Sequence, residues 1–192
     1  MTAYEPIRAA AGHQPYRFTE RDYVLLSEHG AFEKCVKTEL IEGVIYAVNA
    51  QYARHLRVQT ILLRRLADIC DTLSAEVSAW VDGSISIDEQ SMPQPDILIV
   101  SELPDEGPVP VCSLLLAVEV ADSSLGQDLG LKAALYTRAG VPEYWVADVN
   151  GRVIHQMWAP QDGAYAERRE VAFDQPIEAA TITGLRIETT SL

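Results

Sequence analysis

Lysine is nearly missing from this chain. Of its 15 basic side chains only Lys34, Lys37 and Lys132 are lysines, against 28 acidic residues and a net charge of −13. That balance excludes a protein that coats nucleic acid non-specifically, because neutralising phosphates takes many Lys and Arg side chains. A local basic groove or a metal-bridged phosphate stays open. Cysteine is equally scarce. Cys35, Cys70 and Cys112 are odd in number, far apart and without a CxxC pair, which argues against both a disulfide framework and a zinc site. Three buried free thiols in a reducing compartment are the expectation. Long apolar runs are missing too. The longest, Leu114 to Val120, is interrupted by Glu119 and falls far short of the ~20 residues that span a bilayer. Residues 1–14 carry no apolar core of a secretory signal, so a cytoplasmic protein with no membrane association is expected. No internal repeat or low-complexity tract is visible.

What is present suits one globular unit. A chain of 192 residues with 48% hydrophobic content can bury a sizeable core without staples. Residues 1–16, polar with scattered Ala and Pro, are expected to form a loose arm, and residues 17–192 one domain. Thr19 followed by Asp22 predicts a capped short helix over about 19–29, stopped at Gly30. Residues 37–48 read as β-structure turning at Glu42-Gly43. Val58, Ile61, Leu62, Leu66, Ile69 and Leu73 recur at helical steps and predict a long helix over 52–73.

Short strands follow at about 76–81 and 84–88, then the apolar strands Asp96–Val100 and Leu114–Val120, separated by a Pro-rich loop at 102–110. A helix over about 126–139 ends at Gly140 before Pro142. Glu143–Val149 is a strand, Asn150-Gly151 predicts a type I′ hairpin into Arg152–Trp158, and Asp162-Gly163 marks a further turn. The sum is an α/β fold, a mixed sheet flanked by helices, with a helix and hairpin added at the N-terminal side and hairpins at the C-terminal side.

Two acids interrupt the apolar strands: Asp96 begins DILIV and Glu119 sits inside LLLAVEV. An unpaired carboxylate there is costly, because its charged form loses hydration. A divalent cation offsets that cost, and Mg²⁺ is satisfied by one or two carboxylates plus water and phosphate oxygens. If the strands are neighbours, both acids reach one ion; the rival reading has Asp96 capping a strand end and Glu119 paired with an arginine. Lys132 lies thirteen positions after Glu119, on the next helix. It either turns inward to orient water and stabilise phosphoryl charge, or sits on a solvated helix face. Like-charge repulsion predicts that, without metal, one of the two acids has a raised pKa.

Pro95-Asp96, the Glu119-Val120-Ala121-Asp122-Ser123-Ser124 run, Lys132 and the block from Tyr136 through Ala139-Gly140-Val141-Pro142-Glu143-Tyr144-Trp145 together resemble the Uma-type restriction-endonuclease family, a branch of the PD-(D/E)XK nucleases. Glu39-Leu40-Ile41-Glu42-Gly43 resembles its N-terminal signature, and the resemblance covers roughly residues 17–160. It implies a restriction-endonuclease-like core, a DNA endonuclease dependent on Mg²⁺ or Mn²⁺, Asp96 and Glu119 as metal ligands, and Lys132 as a motif lysine displaced from position 121, which is Ala121 here. Val44 and Leu131 stand where the family commonly has acids.

Glu39 is a candidate auxiliary ligand or else a half-exposed strand residue. His55 is a candidate substrate contact or else a hydrogen-bonded helix histidine. Arg54 and Arg57, with Arg64 and Arg65 on the same helix, form either a phosphate-contacting stripe or a solvated face. Ser123 and Ser124 read as helix caps rather than nucleophiles, with no histidine nearby in sequence to activate them. Trp145 and Trp158 read as core or dimer surface. Two function classes follow: a metal-dependent DNA phosphodiesterase that binds DNA weakly, or a binding or regulatory protein that keeps the nuclease fold with little catalysis. A hydrolase of small phosphoesters is a third reading, and a homodimer is compatible with the edge strands.

Overall fold

The computed structural model describes residues 13–48, 52–73 and 76–192, so most of the expected arm, and residues 49–51 and 74–75 near the ends of the long helix, lie outside the described residues. The first helix, α1 (Glu20–Glu28), starts with a capping box. The Asp22 N–H donates to Thr19 Oγ1 at 3.2 Å, and the Thr19 N–H donates to Asp22 Oδ2 at 2.9 Å. Strands β1 (Lys37–Ile41) and β2 (Val44–Val48) form a hairpin whose two turn residues, Glu42 and Gly43, have φ of 51° and 73°, the type I′ pattern.

The long helix α2 (Ala53–Leu73) is held by a stripe in which Val58, Leu62, Leu66 and Cys70 are buried. Nearer its N-terminal end the stripe changes character: the buried residues there are His55 and Gln59. This end of α2 is the part that reaches the site.

The main sheet has six strands in the order β10-β9-β8-β7-β5-β3. They are β3 (Ser78–Val81), β5 (Ile97–Val100), β7 (Leu114–Ala121), β8 (Glu143–Asp148), β9 (Val153–Gln161) and β10 (Ala164–Ala172). The β7–β8 pair is parallel and the others are antiparallel. Between β3 and β7 lie the two-residue strands β4 (Ile85–Ser86) and β6 (Val109–Pro110), paired with each other, the latter inside the Pro-rich loop. The apolar character of β5 follows from its two faces. Ile97 and Ile99 join the core under α2, while Leu98 and Val100 join the core on the opposite face. Ile97 pairs with Val118, so continuing the register one step sets Asp96 against Glu119.

Four expectations change in the structure. The helix over 126–139 is a composite of α3 (Leu125–Gln127), a π-helical segment (Asp128–Lys132) and α4 (Ala133–Arg138), and the π segment carries the lysine. Asn150-Gly151 does not make a two-residue turn. The loop has four residues, because Asp148 Oδ1 accepts the N–H groups of Asn150 at 2.9 Å and Gly151 at 2.8 Å, and Arg152 takes the positive φ of 53°. The type I′ pattern appears instead at Asp162-Gly163, with φ of 51° and 81°. The β9–β10 hairpin is the edge of the main sheet rather than an appendage, and of the C-terminal strands β11 (Ile177–Glu178) with β12 (Arg186–Ile187) forms a separate pair. Of the cysteines only Cys70 is buried; Cys35 and Cys112 lie in connecting segments and are exposed, and all three are free. Among the described residues no helix is long and apolar enough to cross a membrane.

Candidate functional site

A cavity of about 180 Å³ opens where the C-terminal end of β7, the start of β5, the β1–β2 hairpin and the first turn of α2 meet the π segment. At roughly 30 Å³ per water, it has room for an ion with a few waters and a phosphate group.

The strand alternation aims the acids. Ala117 and Ala121, two steps either side of Glu119, belong to the core that contains Tyr136, so Glu119 projects to the helical face of the sheet where Lys132 waits. Lys132 Nζ donates to Glu119 Oε1 and to Glu39 Oε1, each at 2.9 Å, and all three side chains are buried. The second acid is held differently. Asp96 Oδ2 accepts the Val120 N–H at 2.8 Å and lies 3.0 Å from His55 Nε2. An ionised carboxylate only accepts, so that nitrogen carries the proton. Gln59 donates to the Asp96 carbonyl at 3.1 Å, so the polar end of the α2 stripe fixes this residue twice.

Electrostatics separate the two acids. At Asp96 burial pushes the carboxyl up, but the His55 hydrogen bond, the Lys37 charge and the Val120 N–H outweigh it, and its pKa is lowered. At Glu119 burial wins over the Lys132 charge, aided by Asp96, Asp128 and Glu39, and its pKa is raised well above the usual glutamate value. One acid is thus raised and the other lowered, but the chief cause at Glu119 is burial, with repulsion from Asp96 only adding to it. For Lys132 burial works against the charge, but Glu119, Glu39 and Asp128 prevail and keep the ammonium protonated.

Several residues of the lining were not singled out as site residues from sequence, Lys37 and Asp128 among them. Lys37 Nζ stands 3.5 Å from Asp96 Oδ1 and 3.2 Å from Asp82 Oδ1. Asp128 is buried, accepts from Ser124 Oγ at 2.5 Å, and has its carboxyl pushed up to about 6 by burial against the pull of Lys132 and Ser124. Both left a periodic signal: Lys37 is two residues before Glu39 on a strand, and Asp128 four before Lys132 on a helix, the spacings that put side chains on one face. Ser124 does occupy the helix N-cap position, but its hydroxyl serves Asp128 instead of the backbone.

The structure therefore brings Glu39, His55, Asp96, Glu119 and Lys132 to one cavity, while Arg54 and Arg57 stand outside its lining. Arg54 spans the rim, donating to Asp122 Oδ1 at 2.8 Å and to Asn150 Oδ1 at 3.1 Å. The arginine stripe is divided in use, since Arg65 fastens the C-terminal segment through the carbonyls of Glu188 and Thr190 at 2.7 and 2.6 Å. Trp145 is fully buried in the core.

The donor set suits a hard divalent ion. The lining carries five carboxylates, Glu39, Asp96, Glu119, Asp122 and Asp128, against the two ammoniums of Lys37 and Lys132. Two buried polar atoms of its lining, His55 Nδ1 and Asp122 Oδ2, have no hydrogen-bond partner among the described residues, and the unanswered carboxylate oxygen favours a cation or a donor. Among the described residues no three His, Cys, Asp or Glu side chains form a ready-made ligand set.

A family model described as "Putative restriction endonuclease" (Uma2) matches residues 22–190, reaching past residue 160 where the recognisable motifs end. No curated protein matches the chain. Among solved structures, one described as "a putative nuclease belonging to DUF820 from Anabaena variabilis" superposes with a TM-score of 0.62 at 14% identity, covering 79% of this chain and 87% of that one. The two share a restriction-endonuclease-like fold.

Proposed function

We propose, from the premise that this chain belongs to the Uma2 "Putative restriction endonuclease" family, that it is a metal-dependent phosphodiesterase acting on DNA. Family and fold make the protein nuclease-like. The reading of its chemistry rests on one observation, the meeting of Asp96, Glu119 and Lys132 at one cavity from a strand entry, a strand end and a helix.

In this reading Asp96 and Glu119 hold Mg²⁺ or Mn²⁺, with Glu39 beside them. The bound ion supplies Lewis acidity and a more acidic water. The chain's own residues do the positioning. His55, Gln59 and the Val120 N–H fix Asp96 from three directions. Lys132, kept charged between Glu39 and Glu119, offers a donor that orients the attacking water and stabilises charge on a phosphoryl oxygen. The cavity admits the scissile phosphate, and Arg54, tied to the lining residue Asp122, and Arg57 on the same helix end are offered as contacts to the flanking backbone. With a net charge of −13, DNA binding is weak, and few phosphate contacts give a shallow salt dependence of roughly 0.9 in log affinity per log salt for each contact.

The test is nicking of supercoiled plasmid in Mg²⁺ or Mn²⁺. Wild type is expected to nick and Asp96→Ala to be inert. Binding of a partner without metal, unchanged by Asp96→Ala and unaccompanied by cleavage, would instead favour a regulatory protein on a nuclease fold.

A further inference from the structure

Two of the chain's three lysines, Lys37 and Lys132, line the same cavity, and they are placed differently. Lys132 is enclosed, bracketed by two buried carboxylates at 2.9 Å. Lys37 straddles the boundary of the site. Its ammonium lies 3.2 Å from Asp82 Oδ1, a carboxylate whose side chain is 45% exposed, and 3.5 Å from Asp96 Oδ1, whose side chain is 6% exposed. It issues from β1 on the face it shares with Glu39.

The two oxygens of Asp96 are engaged by different groups. Oδ2 accepts from the Val120 backbone and faces His55, contacts that orient the side chain, while Oδ1 faces the Lys37 ammonium. A divalent ion approaching Asp96 therefore meets a positive charge already at Oδ1.

We propose that Lys37 is an internal competitor for the metal: its ammonium stands in for part of the cation's charge in the metal-free protein, and metal entry displaces it from Asp96. This inference rests on the metal reading of Asp96 and Glu119. The displaced ammonium keeps Asp82 as a partner and still lines the cavity, so with the ion in place it is available to a substrate phosphate. Lys37 is thereby a positioning residue that couples metal occupancy to phosphate binding. The charge alone has a predictable sign. A +1 group within several ångströms of a +2 ion, in partly buried surroundings, weakens binding by roughly tenfold or more.

The test is Mn²⁺ binding measured by isothermal titration calorimetry, without substrate, on wild type, Lys37→Met, Lys37→Gln, Lys37→Arg and Asp96→Asn. Circular dichroism and thermal unfolding establish that each is folded, and Lys37→Gln serves if the Met variant is not. Lys37→Met and Lys37→Gln are expected to bind Mn²⁺ roughly tenfold more tightly than wild type, Lys37→Arg to bind as wild type does, and Asp96→Asn to lose binding. Unchanged or weaker binding in the charge-removed variants, with Asp96→Asn still deficient, overturns the role of Lys37 and leaves the metal reading standing. Mn²⁺ binding that persists in Asp96→Asn, or is undetectable in every protein, overturns both.

Discussion

Lys132 and Glu119 are thirteen residues apart in the chain and 2.9 Å apart in the fold, and the same ammonium is also 2.9 Å from Glu39. One lysine thus neutralises a strand acid of the main sheet and an acid of the N-terminal hairpin. Removing it leaves two buried carboxylates facing each other, whereas removing Glu119 leaves the lysine with Glu39. Lys132→Met should lower stability in EDTA by about 3–5 kcal/mol, the cost of stranding buried charge, and Glu119→Gln by clearly less, because its charge is already disfavoured by burial. Urea unfolding of the two variants decides this. Equal losses would mean that Lys132 has no effective second partner.

Asp128 should leave a signature in the pH dependence of stability. Its carboxyl is pushed from 3.8 up to about 6, chiefly by burial. Between those two values the folded chain binds more protons at this residue than the unfolded chain, so its contribution makes stability fall as pH rises from about 4 to 6. The difference amounts to about 3 kcal/mol at neutral pH, at 1.36 kcal/mol per pKa unit. Asp128→Asn should remove this slope, and the variant should be the more stable protein at pH 7. Parallel stability-versus-pH curves for wild type and variant, from urea midpoints across pH 4–7, would contradict it.

The triad was legible in the sequence because a carboxylate in an apolar strand has no local reason to be there, and Lys132 lies on the helix that directly follows the Glu119 strand. Lys37 and Asp128 break no pattern. One sits in a strand of mixed character and the other in a polar helix turn, where charged residues usually face water, and only the packing of the hairpin and the π segment against β7 turns them inward. The order of elements was likewise readable from periodicity. The Asn150-Gly151 turn was not, because Asp148, outside the dipeptide, captures both N–H groups and sets the loop.

Glu143 provides a test of scaffold against site. It is fully buried at the start of β8, and its carboxylate accepts from Trp145 Nε1 and Gln156 Nε2, each at 2.6 Å, and from the Thr181 N–H and hydroxyl, each at 2.9 Å. Four donors converge on two oxygens, and they tie the segment around Thr181 to the sheet. An amide can accept at one end only, so Glu143→Gln opposes donor to donor. The expected loss is about 3 kcal/mol, a fall of roughly 6–12 °C in Tm for a chain of this size. Mn²⁺ affinity should be unchanged, since Glu143 does not line the cavity. Calorimetric unfolding and Mn²⁺ titration of the same sample check both halves, and loss of metal binding without loss of stability would place Glu143 in the site.

The last prediction joins metal to stability at Asp96. A ligand that binds only the folded chain stabilises it by about 2.7 kcal/mol at one hundred times its dissociation constant, which for a chain of this length raises Tm by roughly 5–10 °C. Wild type should therefore melt at higher temperature in saturating Mg²⁺ or Mn²⁺ than in EDTA. The ion should relieve two costs, the burial of Glu119 and its repulsion by the neighbouring carboxylates. Asp96→Asn keeps an oxygen to accept the Val120 N–H, but an amide is a poorer ligand for a hard cation. Its Tm should respond little to the ion. The carboxylate of wild-type Asp96 is stabilised by His55 and Lys37, so the variant should also melt somewhat below wild type in EDTA. The comparison to make is the shift produced by the ion, not the starting Tm. An undiminished shift in Asp96→Asn would put the ion somewhere other than the cavity at the end of β7.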